Sequence, residues 1–214
     1  IAEIEDTGEG NLFVYNPKEG IYQPAWHIVN KLARRLEPSF RSNDISEIFS
    51  VLSCICKNVS IYQGSRYIAL GNCIYDTYYG DGMKYSPSIV FTHKVQVNYN
   101  SEATSPVLGD WSIDSWLTEL FNNDAELIHL AWQTILAVIR GYADERIIWL
   151  IGKGGTGKGS FQELLINLVG RINTASMKLI ELEGKNRFAT SQLIGKHLVI
   201  GDDNPIDKVV TGPS

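Results

Sequence analysis

The stretch that most constrains this chain is "RIIWLIGKGGTGKGSFQELLINLVG", residues 146–170. An apolar run enters a glycine-dense loop, and the loop opens into a segment with Phe161, Leu164, Leu165 and Leu168 on one helical face. The pattern predicts a buried strand, a loop and a helix in succession, the building unit of an α/β core.

The loop nearly completes the phosphate-binding pattern G-x-x-x-x-G-K-[ST]. Gly152, Gly157 and Lys158 are in place, and Gly159 stands where the pattern has a hydroxyl. A triphosphate needs backbone N–H groups aimed at its oxygens, and Gly152, Gly154, Gly155 and Gly157 let the backbone wrap closely. The helix opening near Lys158 adds unsatisfied N–H groups and the positive end of its dipole, and the Lys158 ammonium reaches the β and γ phosphates. Lys153, Thr156, Gly159 and Ser160 complete the expected ATP-binding set. Magnesium takes oxygen ligands, and Ser160, one residue late, is the expected hydroxyl, bound directly or through water. A chance glycine-rich turn is the bland alternative; the strand before, the helix after and the lysine weigh against it.

A second element is "GKHLVIGDDNP". Leu198, Val199 and Ile200 predict a buried strand, and Asp202 and Asp203 fall at its C-terminal end, where ligands of open α/β sheets gather. Asp202 is the expected partner of Ser160 at magnesium, and Asp203 the group that polarises water. Taken alone the pair reads as an acidic turn before Asn204-Pro205. Its distance downstream of Lys158 favours the metal site, and Lys158, Asp202 and Asp203 are the candidate catalytic residues.

Upstream, "NLFVYNPKEGIYQ" predicts a hairpin. "PAWHIVNKLARRLEP" predicts a helix with Pro24 in its first turn and Trp26, Val29, Leu32, Ala33 and Leu36 as its packing face. "NDISEIFSVLSCICKN" predicts another, with Asp44 and Glu47 at capping-box spacing and Ile45, Ile48, Phe49, Leu52 and Ile55 facing the core. Residues 59–99 carry strand-like runs, among them "SIVFTHKVQVNY", with a turn at Gly80-Asp81-Gly82. A loop follows, then helices around Ile113–Phe121 and from an Asp124 cap to a Gly141 stop. The expected organisation is a mainly helical, mixed α+β domain over 1–142, then the first part of an α/β nucleotide-binding core over 143–214.

Composition narrows the partners. The 214 residues are 44% hydrophobic and carry a net charge of −5, so no global basic field attracts nucleic acid and any DNA contact is local. No run approaches the ~18 apolar residues of a membrane span and no signal-peptide series opens the chain, which predicts a soluble intracellular protein without membrane partners. Cys54, Cys56 and Cys73 are odd in number and form no C-x-x-C, so they read as core thiols. His27, His93, His129 and His197 have no ligand spacing and read as structural.

Several stretches together resemble one family: the primase-helicase proteins of phages, plasmids and large DNA viruses, whose motor is a superfamily 3 helicase of the AAA+ type. "NCIYDTYYGDGMKYSPSIVFTHKVQVNYN" is similar to the segment upstream of that motor. "LAWQTILAVIRGYADERIIWLIGKGGTGKGSF" resembles its helix, strand and phosphate loop, with Thr156 replacing the common Asn and Gly159-Ser160 the common hydroxyl pair. "NRFATSQLIGKHLVIGDDN" is similar to the linker and acidic strand. The resemblance, over roughly residues 11–205, implies an AAA+-like P-loop core, truncated. It further implies ATP and Mg2+ as cofactors, and DNA replication by a ring, usually a hexamer, that unwinds single-stranded or forked DNA inside a bacterial or host cell. The sensor strand, arginine finger and DNA-contacting hairpin of that family are expected beyond Ser214, and a primase domain, if the parent has one, before Ile1. The chain alone is therefore expected to be inactive. The "GKGS" stretch keeps a nucleoside monophosphate kinase-like phosphotransferase as an alternative. A non-catalytic, nucleotide-switched assembly module is the third reading.

Overall fold

A computed structural model describes residues 1–5, 11–141, 147–178, 193 and 196–201. It is a mixed α/β structure, with five α-helices and several small sheets among the described residues. The chain divides into two compact units, Ile1–Lys94 and Val95–Ser214.

The first unit opens with β1 (Ala2–Ile4), followed by β2 (Leu12–Asn16) and β3 (Ile21–Pro24), then α1 (Ala25–Leu36), α2 (Ser42–Ile55) and β4 (Lys57–Val59). The sheet order is β3-β2-β1-β4: β1 runs antiparallel to β2 and parallel to β4. The predicted hairpin is β2–β3. Asn16 builds its turn, accepting through Oδ1 from the N–H groups of Lys18 and Glu19 while its carbonyl accepts from Gly20. Gly20 has φ +71°, and the Tyr85 ring fills the place a Cβ would take.

The packing face of α1 is rotated from the expected stripe. Ala25, Val29 and Ala33 are buried, at i, i+4 and i+8, whereas Leu32 and Leu36 are exposed and Trp26 lies over Phe49 at 4.8 Å. Small residues at the contact let α1 approach Leu12 of β2 closely, and that contact sets which face is inside. In α2 the expected box shifts by one turn: the helix begins at Ser42, and the Asp44 carboxylate, inside it, accepts from the Arg41 N–H at 2.6 Å. Ile45, Ile48, Phe49 and Leu52 face the core as expected, and Ile55 is exposed. The core-thiol reading holds in part, for Cys56, which packs against the Leu12, Ala25 and Val29 core. Cys54 is exposed and Cys56 and Cys73 are half-buried.

A meander of β5 (Tyr67–Ala69), β6 (Ile74–Asp76) and β7 (Asp81–Met83) supplies the predicted antiparallel region. Residues 88–99 form no strand; there the carbonyls of Val90 and Phe91 accept single bonds from the N–H groups of Tyr62 and Tyr22. Lys94 is buried against the Glu19 carboxylate at 3.0 Å, the Tyr85 hydroxyl and the Gly71 carbonyl. Burial by itself would lower its pKa, and the bonds to Glu19 and Tyr85 outweigh that and raise it.

The second unit carries the small hairpin β8 (Val107–Leu108) and β9 (Trp111–Ser112), then α3 (Ile113–Leu120), α4 (Ala125–Arg140), α5 (Lys158–Val169), and the parallel pair β10 (Thr174–Ser176) and β11 (Leu198–Ile200). Asp124 caps α4 as predicted, accepting from the N–H groups of Glu126 and Leu127, and Gly141 ends it at φ +63°. Leu117, Ala131, Ile135, Phe161 and Leu165 form one core. The compact units divide at Lys94/Val95, and α3 and α4 share their core with α5.

Among the described residues, no helix is long and apolar enough to cross a membrane.

Candidate functional site

The loop from Gly152 to Gly157 is shaped by two left-handed glycines, Gly155 at φ +74° and Gly157 at φ +83°. A side chain is strained at either. Gly157 has a second constraint, since a Cβ there would meet Leu120 Cδ1 at 2.5 Å. A Cβ at Gly154 or Gly159 meets nothing within 4 Å, so the irregular Gly159 is not held by sterics.

The Lys158 ammonium sits inside the curl of the loop. It donates to the carbonyls of Gly152 at 2.9 Å and Lys153 at 2.8 Å and approaches the Thr156 hydroxyl at 3.4 Å. Thr156 Oγ1 in turn donates to the Lys153 carbonyl at 2.8 Å, which closes the curl. Lys158 is also the first residue of α5, whose N-terminus carries no side-chain cap. A fixed cation and the free N–H groups of a helix start thus share one place on an exposed loop, an arrangement suited to an anion. Ser160, in the same first turn, is exposed.

The anchor beneath the loop is aromatic. Phe161 is 2% exposed and lies between Trp116, at 6.5 Å, and Phe121, edge-on at 6.3 Å. Leu165 and Val169 continue the buried face, and Leu164 and Leu168 flank it as the spacing predicts.

The apolar run before the loop differs from expectation. Residues 147–151 are not in a strand, and Ile147, Ile148, Trp149 and Ile151 are exposed. Only Leu150 reaches the core. A run this apolar forms a buried strand only where a neighbour supplies the ladder, and no described residue does so. β11 forms where predicted, with Val199 exposed. Asp202 and Asp203 lie outside the described residues. Among the described residues, no group of three or more His, Cys, Asp or Glu is placed to hold a metal ion.

His197, read from the sequence as structural, has a structural role here. It stands just before β11, and its Nε2 donates to the Val138 carbonyl in the last turn of α4. Burial lowers its pKa, against the opposing pull of that bond. Its ring fills the space beside Gly141, so the glycine that ends α4 is required both by φ and by the histidine. The only signal in the sequence was a histidine one residue before an apolar strand, too common to single out.

Residues 150–212 match a family of unknown function (DUF5906), a segment that includes the loop, α5 and the Asp202-Asp203 pair. No curated protein sequence matches the chain.

Proposed function

We propose that residues 152–160 bind the phosphates of ATP, and that the chain belongs to an ATP-driven DNA helicase of the primase-helicase kind. The observation that carries the first part is the Lys158 ammonium, held by two loop carbonyls at the uncapped start of α5. Those carbonyls hold the lysine in position but do not neutralise it, so a phosphate oxygen competes for the ammonium with charge in its favour. The loop N–H groups and the first turn of α5 then align the phosphates. The second part rests on the ordered motifs of the sequence.

Ser160 and Asp202 are the residues that would hold a magnesium ion. Ser160 offers an exposed hydroxyl two residues after the lysine, in the same first turn of α5, and Asp202 is the carboxylate the sequence pairs with it. Magnesium, when bound, neutralises charge across the phosphate oxygens. Lys158 orients the β and γ phosphates, and Asp203 accepts the proton of the attacking water.

A fluorescent ATP analogue titrated into the chain tests the site. Lys158→Ala weakens binding by roughly tenfold or more, the scale of a lost charge-assisted contact. Equal affinity in wild type and variant removes the lysine from the site and ends the proposal. ATP turnover stimulated by single-stranded DNA in the complete gene product tests the helicase assignment. Phosphoryl transfer to a nucleoside monophosphate, or binding without turnover, would replace it by the kinase or the switch.

A further inference from the structure

The turn between β6 and β7 displays two adjacent tyrosines that the fold does not use. Tyr78 is 76% exposed and Tyr79 is 74% exposed, with their rings 4.9 Å apart and nearly perpendicular. Aromatic side chains normally bury most of their surface, and a tight turn needs neither ring. The turn is nonetheless built to hold them. Asp76 Oδ1 accepts from the Tyr78 N–H at 2.9 Å, the Asp76 carbonyl accepts from Gly80, and Thr77 is tied to Arg66 and Ser65.

The same Asp76 carboxylate fixes a cation beside the rings. Arg66 donates to it through Nε and Nη2, at 2.8–3.1 Å, which leaves Nη1 unused by Asp76 on a half-exposed guanidinium. The guanidinium carbon lies 5.0 Å from the Tyr67 ring centre and 5.4 Å from those of Tyr78 and Tyr79. One buried carboxylate therefore binds both the arginine and the backbone of Tyr78, and the guanidinium lies against both exposed rings.

We propose that Tyr78, Tyr79 and Arg66 form a stacking platform for single-stranded nucleic acid, the rings taking bases and the guanidinium a backbone phosphate. The surroundings favour this occupant over a protein. The turn is flanked by Gly80, Asp81, Gly82, Lys84 and Ser65, with Met83 as an exposed apolar neighbour, so the apolar surround that shields a protein hot spot from water is thin. Rings beside an arginine are the sequence-tolerant means of holding an unpaired strand, and they act without the basic field this acidic chain lacks. The assignment deepens the helicase reading and rests on it for the choice of DNA.

The test is fluorescence anisotropy of a labelled 20-nucleotide oligothymidylate with the whole chain, without nucleotide. Wild type binds; the double variant Tyr78→Ala, Tyr79→Ala binds roughly tenfold or more weakly, as expected for lost base stacking. Tyr78→Phe with Tyr79→Phe retains the affinity and shows that ring faces carry it. Equal binding by the alanine pair, equal loss in both pairs, or no binding by wild type overturns the platform. A wild-type chain that ignores the oligonucleotide and self-associates through the tyrosines in light scattering assigns the patch to protein contact instead. ATP-analogue binding on the same samples separates the two proposals: its loss with oligonucleotide binding intact sinks the nucleotide site alone, and the reverse sinks the platform alone.

Discussion

His197 donates from Nε2 to the carbonyl of Val138, so the residue that leads into β11 is fastened to the last turn of α4. The bond ties together elements 59 residues apart in the chain. It also fixes which ring nitrogen carries the proton in the neutral form.

Stability should therefore depend on pH through His197. Its folded pKa lies below the ordinary ~6.5, so the unfolded chain takes up the proton first as pH falls. The contribution is complete above about 6.5 and is lost as pH falls through the window below that value. Thermal unfolding from pH 7.5 down to 5 should give a falling Tm, and His197→Gln should flatten that fall. Parallel slopes in the two proteins would remove His197 as the cause.

The two loop glycines flanking Lys158 should behave oppositely. Gly157→Ala places a Cβ at positive φ and against Leu120, for a loss of about 1–3 kcal/mol. Gly159→Ser meets open space and should stay within about 0.5 kcal/mol of wild type. Urea midpoints at constant m-value make the comparison. A Gly157→Ala variant as stable as wild type would mean that Leu120 and the loop relax freely.

Lys158→Ala should abolish ATP hydrolysis in the complete gene product, with a loss of ~2–4 kcal/mol in transition-state stabilisation. Its Tm should change little, since the three contacts of the ammonium lie within an exposed loop. Near-normal turnover counts against the assigned role, and a collapsed Tm would mean that the lysine is a structural clasp.

Ser160→Ala should raise the magnesium concentration needed for half-maximal nucleotide binding, with the apparent affinity at saturating magnesium nearly unchanged. A magnesium titration of wild type and variant reads this directly. An unchanged midpoint moves the metal contact elsewhere, with Asp202 the next candidate.

The sequence made legible whatever is decided locally. The hairpin turn at Asn16–Gly20, the Asp124 cap, the Gly141 stop and the buried face of α5 depend on side chains a few residues from the backbone they serve. The loop was legible for the same reason, since its glycines and lysine are contiguous. The contacts that the pattern could not supply are remote. Leu120 against Gly157 and His197 against Gly141 are meetings of distant segments, and neither residue is set apart in type from the other leucines and histidines of the chain. The run at 147–151 shows the converse, for an apolar sequence states a preference for burial and leaves the neighbouring strand unnamed.

The place of β1 in its sheet has a consequence for the order of events during synthesis. Its three residues lie between β2 and β4, and Ile4 is wholly buried. The parallel partner, beginning at Lys57, emerges only after both helices of the first unit have been made. Until then β1 has one neighbour and an open edge, which invites pairing with another nascent chain. Closing the sheet must bridge that long loop before it is rewarded, so this unit should fold slowly for its size. Dilution and low temperature during expression should protect it more than any change at the phosphate loop.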